Sequence, residues 1–169
     1  VFKIEGRARG PEYVSTVVSA YNEAINAVLN DTFTEELKDQ LDTQLATVVN
    51  RGFWDGYYQG QTLGEWNNIA GSAATEKKVY CAKTIRYFTK LGVAEFKIEA
   101  CELKKGDKIL ITGPTTGAHY FTADKIRYDL EPVDVAKKGQ HVSIAVPRKV
   151  RRSDKLYVIV ENDPTVDKR

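Results

Sequence analysis

The spacing of apolar residues changes once along this 169-residue chain, near residue 76. Before that point apolar residues recur at helical spacing. After it, β-branched and aromatic residues alternate with polar ones, and turn signals follow at intervals of about 8–12 residues. This single change predicts an α+β fold in which a helical segment, 1–66, precedes a β-rich segment, 77–163. Residues 67–76 are the predicted linker and 164–169 a tail.

Two helices are predicted in the first segment. Pro11 suits a first helical position, and Thr34 is the expected N-cap of the second helix. Gly52 fits the C-terminal position of that second helix. The apolar stripe of the first helix comprises Val14, Val17, Val18, Tyr21, Ile25, Val28 and Leu29, and that of the second Leu37, Leu41, Leu45, Val48 and Val49.

A glycine-rich aromatic loop follows the helices and contains Phe53, Trp54, Tyr57, Tyr58 and Trp66. Aromatic faces of this kind can stack on nucleic-acid bases. The alternative, which the sequence favours, is that the rings pack against a neighbouring domain.

Seven strands are predicted in the second segment, near 78–88, 93–101, 107–112, 119–128, 132–135, 140–146 and 155–161. We expect them to form a small closed barrel that resembles the second domain of translation elongation factors. Closure would remove exposed strand edges. Gly113-Pro114-Thr115-Thr116-Gly117 is interpreted as a hairpin turn, since it lacks the ending of a phosphate-binding loop.

The β-rich segment contains an internal echo of basic residues before an alternating strand. Lys104-Lys105-Gly106 and Lys137-Lys138-Gly139 each lead into such a strand in the same register, and Arg151-Arg152-Ser153-Asp154 is a looser third copy. These six basic residues, with Arg148 and Lys149 beside them, are the candidate polyanion-binding residues, and the twin lysines are expected to share one rim.

Charge is divided unevenly. Residues 1–75 carry five Lys/Arg against ten Asp/Glu, a net −5, and residues 76–169 carry twenty against thirteen, a net +7. The basic half suits an acidic partner or a polyanion, although a solvated surface remains the simpler interpretation.

No set of residues for catalysis or metal binding is evident. Cys81 and Cys101 are the only cysteines, and His119 and His141 stand apart from them. Zinc sites usually need four such ligands at close spacing. We therefore predict free thiols, with a cross-strand disulfide as the alternative, no metal site and no cofactor in this chain, and we leave the catalytic residues unknown.

Residues 2–21, Phe-Lys-Ile-Glu-Gly-Arg-Ala-Arg-Gly-Pro-Glu-Tyr-Val-Ser-Thr-Val-Val-Ser-Ala-Tyr, resemble a segment of the collagenase-like U32 peptidase family. The stretch 50–60 resembles the aromatic-glycine stretch that follows in the family, and the final third its small C-terminal β-barrel. The family's glycine- and cysteine-bearing signature is missing, because it belongs to an upstream barrel domain. The tetrapeptide 4–7 also matches a protease site used in expression tags.

The resemblance implies that this chain is the C-terminal part of a larger protein, beginning at the last strand of that barrel. Glu5 and Arg7 would then face the pocket of the barrel, whose active site lies at the carboxyl ends of its strands. The alternative is that Arg7 and Arg9 pair with local carboxylates. The upstream domain is the expected partner, with peptide or RNA as further ones. Some relatives hydroxylate RNA, and their upstream domain binds an iron–sulfur cluster.

From these features we predict an accessory, substrate-binding or scaffolding region of a peptidase. The alternatives are an RNA-binding module of an RNA hydroxylation enzyme and, less favoured, a self-contained hydrolase. No apolar run approaches the roughly 18 residues that span a membrane, and a cytoplasmic location is expected.

Overall fold

The first helix, α1 (Pro11–Leu29), begins where the sequence predicts it. The computed structural model describes residues 2–53, 60 and 71–162. Gly10 is the extended N-cap, and Pro11 takes the first helical position, where its missing N–H leaves no helical hydrogen bond unmade. The helix ends because Asp31 adopts a left-handed conformation with φ of 53°.

The second helix, α2 (Glu35–Ala46), is capped by Thr34 as predicted. The Leu37 N–H donates a hydrogen bond of 3.2 Å to the Thr34 side-chain oxygen. The helix is shorter than its apolar pattern suggested, because the side chain of Asn50 donates to the C=O groups of Ala46 and Val48 and turns the chain. Gly52 therefore lies beyond the helix end.

The chain divides into two compact units. The helical unit runs to Lys77 and also includes Glu161, and the sheet unit is Lys78–Val160. In the helical unit α1 buries Val17, Ala20 and Ala27, and α2 buries Leu41. Small residues such as Ala20 allow the two helices to approach closely. Within the described residues, neither helix combines the length and apolar character that crossing a bilayer requires.

The sheet unit contains ten strands. They are β1 (Glu76–Phe88), β2 (Val93–Ile98), β3 (Leu103–Lys104), β4 (Lys108–Gly113), β5 (Gly117–Thr122), β6 (Ile126–Tyr128), β7 (Glu131–Val133), β8 (Val135–Ala136), β9 (His141–Ala145) and β10 (Lys155–Glu161). Eight of them form one sheet in the order β5-β4-β10-β1-β2-β9-β6-β7, and β3 pairs with β8 separately. The hairpin predicted at 113–117 joins β4 to β5.

Two predicted strands are each divided in the structure. The strand predicted over 119–128 becomes β5 and β6, because Ala123 leaves the β5 ladder to bond with residues 106 and 107. The strand predicted over 132–135 becomes β7 and β8, because Asp134 between them accepts a hydrogen bond from Lys105 instead. In both places the contacts come from residues distant in sequence.

One apolar core fills the sheet unit. In β9 alternate residues point into it, since Val142 and Ile144 are buried whereas His141 and Ala145 are exposed. The largest fully buried side chains of this core are Phe96, Ile98, Leu103, Ile109, Ile111, Ile126, Ile144 and Leu156.

The α+β class is confirmed, but the predicted closure of the barrel is wrong. Among the described residues the strand order is open, with β5 and β7 at its two edges. Pro132 lies in β7 and lacks an N–H, so that strand suits an edge. The pairing therefore does not reproduce the closed barrel expected from the elongation-factor resemblance.

The segment before α1 also differs from expectation. Residues 2–4 are not part of a strand; the Phe2 ring packs instead against Tyr21, with ring centroids 5.4 Å apart. An extended segment becomes a strand only when another strand pairs with it. Of the predicted aromatic loop, Trp54, Tyr57, Tyr58 and Trp66 lie outside the described residues.

Candidate functional site

Three four-residue turns of the sheet unit share one hydrogen-bond pattern. We call them the basic turns: 104–107 (Lys-Lys-Gly-Asp), 137–140 (Lys-Lys-Gly-Gln) and 151–154 (Arg-Arg-Ser-Asp). In each, the N–H of the fourth residue donates to the C=O of the first at 3.1 Å. The N–H of the first residue donates in return to a side-chain oxygen of the fourth, at 2.8, 2.6 and 2.7 Å in chain order.

Each basic turn joins its neighbouring strand through the same bulge. The N–H of its third residue donates to one partner residue, and the C=O of its fourth residue accepts from the same partner. The partners are Ala123 directly after β5, Ile98 in β2 and Thr84 in β1. All three of these residues are fully buried. Two turn residues thus face one strand residue, as in a bulge whose first position is left-handed. The echo in the sequence is therefore a structural repeat.

The bulge restricts only the last two residues of each turn. The third residue has a φ of 90° at Gly106, 91° at Gly139 and 74° at Ser153, and the fourth supplies the side-chain acceptor. The first two residues contribute backbone groups alone, yet all six are basic and exposed. The third turn keeps the charge while replacing lysine by arginine. Since the fold does not need this charge, it marks a candidate binding function.

Strand directions place the three turns at the two opposite ends of the strands. The first basic turn precedes β4 and the second precedes β9, and these strands run the same way across the antiparallel order. The third turn precedes β10, which runs opposite to β4. The two lysine turns therefore lie at one end of the strands, which we call the lysine edge. Arg151 and Arg152 lie at the opposite end.

Acidic residues dilute the charge at the lysine edge. The ammonium of Lys105 lies 3.9 Å from the Asp134 carboxylate, and both side chains are largely exposed. Glu102 lies two residues before the first turn, and Asp124 follows Ala123, to which that turn is hydrogen-bonded. An exposed ion pair of this type contributes little to stability, but it reduces the local positive potential.

The opposite edge is more strongly basic, and we call it the basic edge. Its members are the exposed residues Arg86, Lys90, Arg148, Lys149, Arg151, Arg152 and Lys155. Three loops meet there: the β1–β2 hairpin, the β9–β10 loop and the β4–β5 hairpin. Across residues 84–92, 113–117 and 145–155, which form these loops, Asp154 is the only acidic residue.

Hydrogen bonds fix these loops to one another. Val146 N–H donates to the Gly92 C=O at 2.9 Å, and Ser153 N–H donates to the Thr84 C=O at 2.9 Å. The Thr116 hydroxyl donates to the Asp154 carboxylate at 2.5 Å. These hydrogen bonds therefore hold the backbone of the basic edge in a fixed arrangement.

Asp154 does not neutralise this surface, because its carboxylate is turned inward. It is 2% exposed and accepts hydrogen bonds from the Thr116 hydroxyl and the Arg151 N–H. Both oxygens also pack against Gly113, where any larger residue would collide with them. The negative charge is therefore held in the turn, and the basic side chains remain directed to solvent.

Glu5 and Arg7 lie together in the helical unit, but only through a local contact. The Arg7 N–H donates to the Glu5 carboxylate at 2.9 Å, and both residues are exposed. The turn that follows is closed by a hydrogen bond from Arg9 N–H to the Gly6 C=O. Neither side chain lines the nearby pocket bounded by Arg9, Tyr13 and Val48.

A second apolar stripe on α1 is exposed. Val14, Val18, Tyr21, Ile25 and Val28 recur at intervals of four and three residues and are 39–60% exposed. They lie on a different face from Val17, Ala20 and Ala27, which are buried. We call the five residues the outer stripe. The sequence analysis placed these five residues in one apolar stripe together with Val17, which the structure buries.

Potential metal ligands are dispersed in the part of the chain that the structure describes. No three His, Cys, Asp or Glu side chains among the described residues are grouped to hold an ion. Cys81 and Cys101 are free thiols in contact, with the Cys81 sulfur 3.5 Å from the Cys101 C=O. An iron–sulfur cluster needs about four thiolates, and burial raises the pKa of both thiols. These two cysteines therefore do not fit cluster ligation.

The histidines are likewise not arranged as catalytic bases. His141 Nδ1 lies 3.1 Å from a carboxylate oxygen of Glu95 on the exposed surface of β2 and β9. His119 pairs with Ile111 in the β4–β5 hairpin. A general base needs a nucleophile within hydrogen-bond reach, and the hydrogen bonds of the described residues show none beside either ring.

Arg86 and Lys90 were missed by the search for binding residues. They lie more than fifty residues before the third basic turn, and only the strand order brings them to the same edge. No local motif identifies them. Predicting them would have required knowing that β1 pairs with β10.

Comparison with known proteins relates both units to one set of sequences. Residues 1–68 match the model of peptidase family U32. The chain is 61% identical over 157 residues, 93% of its length, to a Porphyromonas gingivalis protein named collagenase, of which it covers 38%. It is 32% identical over 95% of its length to an uncharacterized protease of Methanocaldococcus jannaschii and covers 40% of that protein. The chain thus spans about two-fifths of these curated relatives.

Solved structures cover the chain in part. The C-terminal domain of a candidate U32 peptidase from Geobacillus thermoleovorans matches 47% of the chain and 90% of that domain, with 18% identity and a TM-score of 0.45.

Proposed function

We propose that this chain, whose residues 1–68 match the model of peptidase family U32, is the accessory region of a longer collagenase-like peptidase. In this role it binds substrate or supports the enzyme, and it does not catalyse cleavage by itself. The collagenase that it resembles is more than twice its length, so a longer polypeptide supplies the rest of such an enzyme.

The outer stripe of α1 is the observation that carries this proposal. Five apolar side chains at helical spacing remain 39–60% exposed although α1 already buries another face against α2. Completing the burial of five such residues is worth on the order of 5 kcal/mol. A contiguous apolar surface of this kind marks a protein interface. The proposed occupant is the preceding domain of the longer polypeptide.

Glu5 and Arg7 enter the proposal because they precede the outer stripe directly. With α1 docked on the preceding domain, their exposed side chains lie beside that domain and face its pocket. Glu5→Gln and Arg7→Lys are then expected to lower gelatin cleavage by the longer protein, whereas Lys3→Gln is not.

The outer stripe is tested by separating the chain from the rest of the longer polypeptide and mixing the two. We expect a complex in analytical ultracentrifugation, weakened about tenfold or more by Val18→Lys with Ile25→Lys. Asn22→Lys with Asn26→Lys adds the same charge at exposed polar positions of α1 and serves as the control. Equal association of both variants would remove the docking role.

The accessory role is tested by activity. The chain alone is expected to cleave neither gelatin nor casein, because the described residues contain no positioned nucleophile and base. Cleavage by the purified chain, abolished by one substitution within 77–161, would overturn this part of the proposal.

The second candidate is an RNA-binding module of an RNA hydroxylation enzyme. The exposed basic residues of the three basic turns favour it. Contacts to phosphates release counterions, so affinity for transfer RNA would fall steeply with salt. Charge reversal of Lys104, Lys105, Lys137 and Lys138 tests the lysine edge, and unchanged affinity would exclude it as the RNA site.

A further inference from the structure

The basic edge is a concentration of positive charge in the sheet unit that the fold does not explain. Its seven basic side chains are exposed, and the one carboxylate within its loops is buried and hydrogen-bonded. Such a surface attracts a ligand with several negative charges. Arginine supplies four of the seven, and its planar fork binds carboxylates and phosphates through two hydrogen bonds.

We propose that the basic edge binds acidic segments of polypeptide substrates, so that the sheet unit selects substrate chains by their Asp and Glu residues. This inference rests on the accessory role proposed above and specifies its substrate class. The relatives named as a collagenase and a protease make a polypeptide the natural occupant.

The aromatic rings at the basic edge are poorly placed to stack on nucleic-acid bases, which favours carboxylates as the ligands of this edge. Single-stranded nucleic acids bind through charge together with stacking of bases on free aromatic faces. Phe88 is partly buried, and the guanidinium of Arg86 lies 5.9 Å from the centre of its ring. Tyr87 packs against the core. The edge therefore offers guanidinium and ammonium groups rather than a stacking platform.

The geometry of the edge suits an extended chain. The β1–β2 hairpin and the β9–β10 loop are joined by the Val146–Gly92 hydrogen bond, so their basic residues belong to one continuous rim. Carboxylates on an extended peptide recur on one side at intervals of about 7 Å. Each contact is exposed and individually weak, and selectivity arises from several contacts made together.

The test measures fluorescence anisotropy of a labelled peptide of alternating Glu and Gly in the presence of the intact chain. A Gln-Gly peptide of equal length is the neutral probe, and an oligouridylate with the same number of negative charges is the nucleic-acid probe. All are measured at about 0.15 M ionic strength, where weak long-range attraction is screened.

Two charge-reversal variants are matched in size. Arg148→Glu, Lys149→Glu and Arg152→Glu change the basic edge, and Lys104→Glu, Lys137→Glu and Lys138→Glu change the lysine edge by the same charge. None of the six side chains takes part in a hydrogen bond of its turn, and circular dichroism checks that both variants fold. We expect the first variant to bind the Glu-Gly peptide about tenfold more weakly and the second to bind it as the unaltered chain does.

Three results would overturn the inference. They are equal weakening by both variants, no binding of the Glu-Gly peptide, and tighter binding of the oligouridylate at the basic edge. The accessory role is judged separately with neutral gelatin fragments. If these fragments bind to the unaltered chain while one of the three results above is obtained, that role stands and the acidic selection fails.

Discussion

The carboxylate of Asp154 lies directly over the α-carbon of Gly113, in the space that a β-carbon at position 113 would occupy. The same carboxylate accepts the Thr116 hydroxyl and the Arg151 N–H. One buried acid thus holds the β4–β5 hairpin against the turn that opens β10. Because Arg151 and Arg152 belong to that turn, the contact also positions part of the basic edge.

Replacement of Gly113 by alanine is expected to destabilise the sheet unit. The added methyl group would force Asp154 out of its site and break both of its hydrogen bonds. Overpacking of this kind costs about 1–3 kcal/mol in the free energy of unfolding. Urea denaturation measures the loss. Thr115→Ala in the same hairpin, at an exposed position, is expected to stay within about 0.5 kcal/mol of the unaltered chain. A Gly113→Ala protein as stable as this control would show that Asp154 is free to move.

The third positions of the basic turns predict stability changes of opposite sign. Ser153 has a φ of 74°, which L-residues adopt at a cost, whereas Gly106 has a φ of 90° with open space around it. Ser153→Gly should therefore raise, and Gly106→Ala lower, the free energy of unfolding by about 1 kcal/mol. Thermal unfolding of the two single variants checks the prediction. A shift of the same sign in both would mean that left-handed strain is not what distinguishes these positions.

The two thiols should differ in their reactivity. Cys81 is fully buried and Cys101 half-buried, and burial raises the pKa of each thiol, so little thiolate forms at neutral pH. We expect slow alkylation of Cys101 by iodoacetamide in the folded chain and alkylation of Cys81 only when the sheet unfolds. Mass spectrometry of the Cys101→Ser variant isolates Cys81. Rapid labelling of Cys81 in that variant under native conditions would contradict its burial.

Features that depend on contacts between residues close in sequence could be predicted from the sequence, whereas features that depend on distant residues could not. Pro11 and Thr34 begin their helices as predicted, because capping uses residues within one turn. The basic turns were visible as repeats for the same reason, since their first and fourth residues bond to each other. By contrast, Ala123 leaves its strand for a partner far away in sequence, and no local pattern announces that.

The candidate site was predictable only in part. The sequence identified Arg151 and Arg152 as basic turn residues but placed more weight on the twin lysines. The difference arises from strand direction, which sets the third turn at another edge and brings Arg86 to it. Helical periodicity likewise predicted Val14 and Val18 as apolar positions of α1. It did not show that their side chains stay partly exposed among the described residues.

Tyr80 predicts how the stability of the sheet unit depends on alkaline pH. Its hydroxyl donates a hydrogen bond of 2.5 Å to Glu99, and its ring lies edge-on to Tyr157. Desolvation first, and the hydrogen bond to the Glu99 carboxylate second, raise the pKa of Tyr80 to about 12. In the unfolded chain a tyrosine titrates near 10.

The folded chain therefore keeps the Tyr80 proton where the unfolded chain loses it. The contribution of the neutral phenol is fully present below about pH 10 and disappears as the pH rises towards 12. Tyr80→Phe lacks this titration, so the stability of the unaltered chain relative to Tyr80→Phe should fall over that interval. Urea denaturation at about pH 9 and about pH 11 measures the difference and cancels the titration of lysines, which both proteins share. Glu99→Gln retains the burial but removes the charged acceptor, and it should show a smaller fall. A difference between unaltered chain and Tyr80→Phe that stays constant over the interval would mean that the phenol titrates alike in the folded and unfolded states.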